Sequence, residues 1–324
     1  MNSHFAIIFI WLFYEFAIGK AAESNKQLWT AGINERFANI SPHELEEMFG
    51  AESQSFIHLS QTNEWSAFNG NVNAAENFSS VDNWPECASV ILKIRDQGSC
   101  NGWASISASA LSDITCVSCE NGAAPYLSDQ DLLTCCQECG DCSKGNVTAA
   151  FLFWVRDGVV TGAPYGSERG CQPYTVPPRQ GETTPSPTPA CSTTCRPGFP
   201  GTYDQDKHKG RLIGVSNKTS DMQLMISFYG SIVATMTVYE DFVQNYTEGI
   251  YQHVSGDRLG LQPVKLFGWG VEEGVPYWLA ANSWGTNWGM NGLFKILRGK
   301  NECGIETNVV SAAPSSDSCF VLEV

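Results

Sequence analysis

The chain has few basic side chains and no cluster of them. Lysine and arginine together number 19 among 324 residues, against 34 aspartates and glutamates, which gives a formal net charge of −15. Because nucleic acids and anionic membranes are bound through concentrated Lys and Arg, the sequence argues against both partners. It also contains no fixed-period repeat and, after the N-terminus, no apolar run long enough to cross a membrane.

Charged residues of both signs are scarce, at 16% of the chain, whereas aromatic residues reach 11%. This composition excludes an intrinsically disordered chain, because it provides enough apolar surface for a packed core. The length suggests roughly two domains of about 150 residues each, or one larger fold.

The N-terminus indicates the compartment. Residues 5–14 (FAIIFIWLFY) form an apolar run too short to span a bilayer, and small residues follow it. We therefore predict a signal peptide at residues 1–19; the alternative is a buried N-terminal helix. Five Asn-x-Ser/Thr sequons fit a glycoprotein of the secretory pathway, in the extracellular space or the lysosome: Asn39, Asn77, Asn146, Asn217 and Asn245.

Residues 20–81, here called the leader, differ in composition from the remainder. The leader contains no cysteine, and after Lys20 it has eight acidic and two basic residues, a balance of 2 − 8 = −6. Within it, Ser41 and Pro42 precede Glu44, which predicts a short helix with a serine cap. The leader is typical of a pro-segment before a cysteine-rich body; a plain N-terminal subdomain is the alternative.

The body, residues 82–324, divides into a helical part and a strand-rich part, which predicts the α+β class. Residues 102–157 favour helices, with Ser128 and Asp131 forming a capping box and Gly158 ending the last helix. Residues 175–200 contain seven prolines and must form a loop. Short β-branched or aromatic runs predict strands at residues 231–239, 249–254, 264–271, 277–282 and 293–297.

Cysteine is abundant, with 13 residues, and the number is odd. Cys116 and Cys119, with Cys139 and Cys142, have a spacing that matches a four-thiolate zinc site. In the oxidising secretory pathway, however, such thiols form disulfides, and at least one thiol remains unpaired. We therefore predict disulfides, no metal site and no cofactor.

Several longer motifs resemble those of one enzyme family. They are, in chain order, residues 94–100 (IRDQGSC), 132–136 (LLTCC), 170–174 (GCQPY), 251–254 (YQHV) and 281–284 (ANSW). These motifs are similar to the papain family of cysteine peptidases, and residues 29–32 (WTAG), 205–208 (QDKH) and 294–299 (FKILRG) resemble its cathepsin B branch. The resemblance implies a papain-like fold, with a helical left domain, a β-barrel right domain and a cleft between them.

The resemblance also implies a disulfide framework. It pairs Cys87 with Cys116, Cys100 with Cys142, Cys135 with Cys191, Cys136 with Cys139, and Cys171 with Cys195. Cys119, Cys303 and Cys319 remain. One further bond among these three is possible, and the sequence does not choose it.

The nucleophile position of the family differs in this chain. A papain-type nucleophile is a cysteine at a helix N-terminus, where the helix dipole and an imidazolium lower its pKa. The family pattern Cys-Gly-Ser/Ala-Cys-Trp/Tyr places it just before an aromatic residue. Residues 97–103 (QGSCNGW) are one residue shorter, with Gly102 before Trp103, and Cys100 corresponds to the disulfide-forming cysteine. Glycine has no side chain, so Gly102 cannot attack a substrate.

The general base differs as well. Counting back from residues 268–270 (GWG), the catalytic histidine of the family falls on Gln262, whose amide does not exchange protons near neutral pH. By the resemblance, Gln97 would be the oxyanion donor, Asn282 the residue that orients the base, and Trp284 its cover, and all three are retained. None of the five histidines matches a catalytic position: His4, His43, His58, His208 and His253.

Other parts of the cleft also depart from the branch. Residues 178–185, which correspond to its occluding loop, contain no histidine, so removal of C-terminal dipeptides is not expected. Lys144 stands in the Gly-Gly wall that pairs with substrate, or is a solvated surface lysine. The residues predicted to line the cleft are Gln97, Trp103, Lys144, Gly145, Trp284 and Asn308.

Three functional hypotheses follow. The first is a catalytically inactive pseudo-peptidase that binds a peptide or protein ligand, including its own leader, in the former active-site cleft. The second is an active cysteine peptidase that uses Cys100 as a displaced nucleophile and His253 or water as the base. The third is a structural glycoprotein of the extracellular matrix.

Overall fold

The computed structural model of the chain describes residues 27–38, 40–46, 48–49, 74–119, 125–179 and 185–315. The predicted signal peptide, Asn39, residues 180–184 and Cys319 lie outside the described residues. No helix in the described part is long and apolar enough to cross a membrane.

The N-terminal half of the described chain is mainly helical. Its elements are β1 (Trp29–Ala31), α1 (Pro42–Glu46), β2 (Phe78–Ser79), α2 (Ser80–Asn83), α3 (Ala88–Ile91), α4 (Trp103–Val117), α5 (Asp129–Cys135) and α6 (Val147–Arg156). The C-terminal half is mainly strand. It contains β3 (Gly210–Ser216), α7 (Thr219–Tyr229), β4 (Ile232–Tyr239), β5 (Tyr246–Tyr251), β6 (Arg258–Glu272), β7 (Val275–Ala281), β8 (Leu293–Leu297) and β9 (Val309–Pro314).

The predicted serine caps of α1 and α5 are present, but Ser128 N donates to Val160 O rather than to Asp131, so the predicted capping box of α5 is only half formed. The cap of α6 was not predicted. Ser41 and Glu44 form a capping box at α1, where Ser41 N donates to Glu44 Oε2 at 2.9 Å. Ser128 Oγ accepts from Asp131 N at 2.9 Å at the start of α5. Asn146 Oδ1 accepts from Ala149 N at 3.1 Å at the start of α6. These bonds satisfy amide groups that have no partner within their helices.

The described strands form one sheet in the order β1-β5-β8-β7-β6-β4-β9-β3, and β2 pairs with β6. Neighbours are antiparallel except β5 and β8, which are parallel. The leader therefore contributes an edge strand, β1, whose Trp29 lies opposite Gly249. The sequence analysis did not predict this strand.

Two hydrophobic cores lie on either side of the candidate site. The helical core surrounds α4, whose residues are buried from Trp103 to Cys116, and it includes residues of α5 and α6. The sheet core contains aromatic residues of β5 and of the segment after β7, among them Tyr246, Trp284 and Trp288. This arrangement confirms the α+β papain-like fold that the resemblance implies.

Some element boundaries differ from the predictions. β6 begins at Arg258 rather than at residue 264, because Gln262 and Pro263 pair with Met236 and Thr235 of β4. β5 starts and ends three residues earlier than predicted, because it pairs with the leader. Helix α7 was not predicted, although its buried residues Met222, Met225 and Ile226 have helical spacing.

Five disulfides join pairs of described cysteines, and they are the five pairs that the resemblance implies: Cys87–Cys116, Cys100–Cys142, Cys135–Cys191, Cys136–Cys139 and Cys171–Cys195. Cys119 is also disulfide-bonded, whereas Cys303 has a free thiol. The four cysteines with zinc-like spacing are thus all bonded to sulfur, so the zinc alternative is wrong. No group of metal-ligating side chains occurs among the described residues.

Candidate functional site

The candidate site lies at the N-terminus of α4, where the two cores meet. Gly102 is the N-cap residue and has no side chain, and Asn101 Oδ1 accepts a hydrogen bond from Trp103 N at 3.2 Å. The preceding loop is held by the Cys100–Cys142 disulfide and by a hydrogen bond from Asn101 N to Cys142 O at 2.7 Å. The sulfur nearest to the helix N-terminus in sequence is therefore already bonded.

Four neutral side chains, here called the amide cluster, surround Gly102: Gln97, Gln262, Asn282 and Ser283. All four are at most 1% exposed. A Cβ atom added at Gly102 would lie 2.6 Å from Gln97 Oε1, 2.7 Å from Gln262 Nε2 and 2.7 Å from Ser283 Oγ. Real Cβ atoms essentially never show distances this short, so a side chain at residue 102 requires the cluster to move.

Hydrogen bonds connect the members of the amide cluster. Gln262 Nε2 lies 3.1 Å from Asn282 Oδ1, 3.2 Å from Gln97 Oε1 and 3.3 Å from Ser283 Oγ. Ser283 Oγ donates to Gln97 Oε1 at 2.7 Å, and Gln97 Nε2 donates to Cys100 O at 2.8 Å. Asn282 Oδ1 is therefore bonded to the side-chain amide of Gln262. An amide can hold Asn282 in place, but it does not transfer protons near neutral pH.

Backbone contacts bring these residues together from both cores. Gln97 N donates to Ser283 O at 2.9 Å, and Asp96 forms a bridge with Trp284. Gln262 comes from β6, while Asn282 and Ser283 directly follow β7. Two polar atoms of the cluster, Gln262 Oε1 and Asn282 Nδ2, are buried without a hydrogen-bond partner. Each such group costs about 1–3 kcal/mol, so the cluster is not optimised for stability alone.

The leader covers Trp284, the residue after the cluster. The ring of Phe37 packs edge-on against Trp284 with centroids 5.2 Å apart, and Phe49 lies 5.7 Å from it. Trp284 itself is 1% exposed. In this structure Trp284 therefore contacts the leader, and a ligand would reach it only after displacing Phe37 and Phe49.

An arginine of the leader fixes this contact. Arg36 Nη1 and Nη2 bond Asp96 Oδ2 and Oδ1 at 2.6 and 2.8 Å, and Nη1 also donates to Trp284 O at 2.7 Å. A bidentate, partly buried pair of this kind is stronger than an exposed one. The sequence analysis did not single out Arg36 or Asp96, although Asp96 lies in the quoted motif next to Gln97.

Three of the remaining residues predicted to line the cleft, Trp103, Lys144 and Gly145, lie on the helical side. Trp103 is fully buried, its Nε1 donates to Asp141 O at 2.8 Å, and a Cβ at Gly145 would lie 2.4 Å from its ring. Lys144 is exposed. Partial burial opposes ionisation of Asp141, but hydrogen bonds from Ser143 N and Lys144 N outweigh it and lower the pKa of that carboxyl.

Asn308 is half-buried and directly precedes β9. It does not take part in the amide cluster.

The described part of the proline-rich loop packs near the segment before Gly102. Ser186 bonds Ser99, and Thr188 Oγ1 accepts from Cys142 N at 2.8 Å.

The described histidines of the body have other partners. His253 stacks on Tyr239 with ring centroids 3.7 Å apart, and its Nδ1 lies 3.2 Å from Asp241 Oδ1. His208 is buried and its backbone pairs with Val159. The free thiol of Cys303 donates to Glu302 Oε1 at 3.4 Å. Burial and Glu302 raise the pKa of Cys303 above its usual range.

A second junction between the cores was missed by the sequence analysis. Lys265 Nζ of β6 lies 2.7 Å from Asp113 Oδ2 of α4, and both side chains are 0% exposed. Lys265 also donates to Ile91 O at 2.9 Å, and Ser231 Oγ donates to Asp113 Oδ2 at 2.5 Å. Burial lowers the pKa of Lys265, while Asp113 opposes that change. The sequence signals of this pair are that Asp113 is the one charged residue of α4 and that Lys265 lies between Val264 and Leu266 in β6.

Two cores, a cleft-facing helix N-terminus and an Asn-Ser-Trp segment opposite it define a protein of the papain fold. The pattern of the papain family cysteine proteases matches residues 78–313. The chain therefore belongs to the papain family, and its similar relatives are cathepsin B-like. The "Cathepsin B-like cysteine proteinase 6" of Caenorhabditis elegans is 37% identical over 316 residues, which cover 91% of this chain and 82% of the relative.

Two further comparisons agree with this branch. The "Cathepsin B-like cysteine proteinase" of Schistosoma japonicum is 41% identical over 253 residues, which cover 74% of this chain and 73% of the relative. The solved structure of "proCathepsin B S9 from Trypanosoma congolense" is 34% identical with a TM-score of 0.75, covering 89% of this chain and 94% of that chain. The fold, including the described part of the leader, is thus similar to that of a cathepsin B proform.

Proposed function

We propose that this chain is a non-catalytic cathepsin B-like protein of the secretory pathway, which binds peptide or protein segments in the cleft between its two cores. The observation that supports it is the amide cluster. The space where a nucleophilic side chain would begin is filled by Gln97, Gln262 and Ser283. None of these groups forms a thiolate or an imidazolium, and loss of either nucleophile or base costs orders of magnitude in rate.

The location in the extracellular space or the lysosome is part of the same proposal. The apolar N-terminal run, the sequons and the disulfides support it, because disulfides of this number persist in oxidising compartments. Of the sequon asparagines, Asn77 and Asn217 are exposed, and Asn146 and Asn245 are half-buried.

The test is hydrolysis of fluorogenic dipeptide substrates by the purified protein, before and after removal of the leader. We expect no hydrolysis that a papain-class inhibitor blocks, whereas a cathepsin B-like relative assayed in parallel is active and inhibited. Inhibitor-sensitive hydrolysis by the processed chain, at a rate proportional to its concentration, would falsify the proposal.

An active peptidase with a displaced nucleophile is the second candidate function. It requires Cys100 as a free thiolate and His253 or water as its base. Cys100 is bonded to Cys142, and His253 contacts Tyr239 and Asp241. Peptide mapping without reduction tests this candidate, because a Cys100–Cys142 peptide excludes it and a Cys100 thiol in the secreted protein would support it.

A structural matrix glycoprotein is the third candidate, and the packing of the leader favours it. Leu45, Met48 and Phe49 belong to the sheet core, so this part of the leader adds apolar burial to the fold. N-terminal sequencing of the secreted protein separates the two non-catalytic functions. A retained leader favours a structural role, whereas its removal exposes Trp284 and favours binding of a ligand.

A further inference from the structure

One predicted glycosylation site lies directly beneath the leader. The sequon Asn245-Tyr246-Thr247 spans the end of a π-helical turn (Asp241–Asn245) and the start of β5. Strand β1 of the leader pairs with β5 along this stretch, with Ala31 opposite Tyr246 and Thr30 opposite Glu248. Modification of the sequon and docking of the leader therefore concern the same surface.

All three residues of the sequon are hydrogen-bonded to the leader. Asn245 Nδ2 donates to Gly32 O at 3.2 Å, and Asn245 O accepts from Gly32 N at 2.7 Å. Thr247 Oγ1 donates to Thr30 O at 2.9 Å. The carbonyl of the middle residue, Tyr246, accepts from Asn34 Nδ2 at 2.9 Å.

The leader and the sequon are closely packed. A Cβ atom at Gly32 would lie only 2.6 Å from Thr247 Cγ2, so the leader backbone touches the sequon closely. Tyr246 is 0% exposed. Asn245 Nδ2 lies 3.2 Å from Gly32 O, and a sugar bonded to this nitrogen is far larger than a methyl group, so we expect it to collide with the docked leader.

N-glycosylation needs the groups that the leader binds. A lipid-linked oligosaccharide diphosphate supplies the sugar: its C1 bonds to the asparagine Nδ2, the lipid diphosphate leaves, and the amide gives up one proton. The sequon is recognised through its asparagine amide and its threonine hydroxyl. We propose that a glycan on Asn245 and the docked leader strand exclude each other, so that glycosylation at Asn245 selects the form in which β1 is undocked and the edge of β5 is open.

Asn217 provides the matched comparison. The side chain of Asn217 is exposed. Asn217 directly follows β3, and β3 and β1 lie at opposite ends of the sheet order. A glycan there would therefore not compete with β1. The proposal does not depend on whether the cleft is catalytic, because it concerns only the leader strand and β5.

The experiment uses the full chain secreted from a glycosylating host with Asn245 as the single intact sequon. Asn39, Asn77, Asn146 and Asn217 are each replaced by Asp, because aspartate keeps the acceptor oxygens that cap α6 and that bond Val271 N. A lectin column then separates molecules with and without the Asn245 glycan. Hydrogen exchange is measured at the amides of Gly32 and Asn34, which donate to Asn245 O and Gln244 O.

We expect these two amides to exchange at least about tenfold faster in the glycosylated fraction than in the unglycosylated one. The control chain carries Asn245→Gln and keeps Asn217 as its single sequon. In this chain we expect the amides of Gly32 and Asn34 to exchange equally slowly with and without the Asn217 glycan. Equal protection in the two Asn245 fractions overturns the proposal. If no Asn245-glycosylated fraction forms, Trp29→Ala is added to weaken β1, and continued absence of the glycan overturns it too.

Discussion

Helix α4 meets the sheet core at two places that differ in charge. At its N-terminus, Gly102 lies beneath the neutral side chains of the amide cluster. Toward its C-terminus, Asp113 and Lys265 form an ion pair in which both side chains are 0% exposed. Gln262 of the cluster and Lys265 of the pair belong to the same strand, β6. One helix and one strand thus form both a neutral and a charged junction.

The contrast separates the requirements of the fold from those of the reaction. The Asp113–Lys265 pair joins the two cores, and breaking it would leave a buried charge without a partner. A cysteine peptidase also needs charge at the other junction, as a thiolate beside an imidazolium. The structure has hydrogen-bonded amides there instead. This is the pattern that we expect of a chain that keeps the framework of a peptidase without its chemistry.

The largest expected effect comes from removing one partner of the charged junction. Lys265→Met leaves the Asp113 carboxylate buried and unpaired, which should lower the free energy of unfolding by about 3–5 kcal/mol. Adding Asp113→Leu removes the stranded charge and should restore much of that loss. Urea unfolding of the disulfide-intact chain measures both variants.

A surface pair is the matched control for this prediction. Lys295 bonds Glu272, and their side chains are 22% and 49% exposed. Lys295→Met should cost less than about 1 kcal/mol, because solvent already screens that pair. A similar loss for Lys265→Met and Lys295→Met would show that the buried pair does not join the cores as argued.

The neutral junction should resist any side chain at residue 102. Gly102→Ala places a Cβ against Gln97 Oε1 and Ser283 Oγ. Because these atoms end side chains that can shift, we expect a loss of about 1 kcal/mol, at the low end of overpacking costs. Gly166→Ala is a control for replacing a glycine with alanine where the new Cβ meets no atom within 4 Å. Its stability loss comes from backbone strain, because the φ of residue 166 is +77°. A Gly102→Ala variant as stable as the parent would contradict the close packing of the amide cluster.

A double variant tests the chemistry of the same junction. Gly102→Cys with Gln262→His puts a thiol at the helix N-terminus beside an imidazole, where the dipole and the imidazolium lower a thiol pKa. We therefore expect alkylation of this cysteine to be measurable near pH 6, where Gly102→Cys alone reacts more slowly. Equal rates for the two variants would mean that residue 262 does not face residue 102.

The leader contact at Asp96 should have an intermediate effect. Arg36→Ala removes two bonds to Asp96 and one to Trp284 O, and losing a partly buried, charge-assisted pair costs about 1–3 kcal/mol. Limited proteolysis should then cut the leader faster, while Arg36→Lys, which lacks the bidentate geometry, should fall between. Unchanged cleavage of Arg36→Ala would indicate that Phe37 and β1 alone hold the leader.

The sequence predicted the parts of this site that depend on local order. Gly102 lies before Trp103 at the start of α4, and Gln262 lies near Asn282, because motif positions fix both places in a known fold. The sequence did not single out Ser283, whose Oγ faces Gly102 and donates to Gln97 Oε1, because that contact joins residues 186 positions apart and belongs to none of the family's catalytic roles. It also missed β1, because a three-residue edge strand has no periodicity of its own and forms only by pairing with β5.

The smallest expected effect concerns Cys303, which has a free thiol. The measurement is the rate at which this thiol is alkylated, not the stability of the fold. Burial and Glu302 raise the pKa of Cys303, so at a given pH it has less thiolate than an ordinary cysteine. Iodoacetamide should label the native protein slowly at pH 8 and faster as the pH rises. A papain-type nucleophile has the opposite profile, because its lowered pKa allows labelling below pH 7.

Two variants assign this reactivity. Cys303→Ser should abolish labelling of the native chain, and Glu302→Gln should increase it at pH 8, because removing the carboxylate removes one cause of the raised pKa. Stoichiometric labelling at pH 6 that survives Cys303→Ser would reveal another thiolate in the protein. Such a thiol would reverse the contrast between the two ends of α4 and restore the peptidase hypothesis.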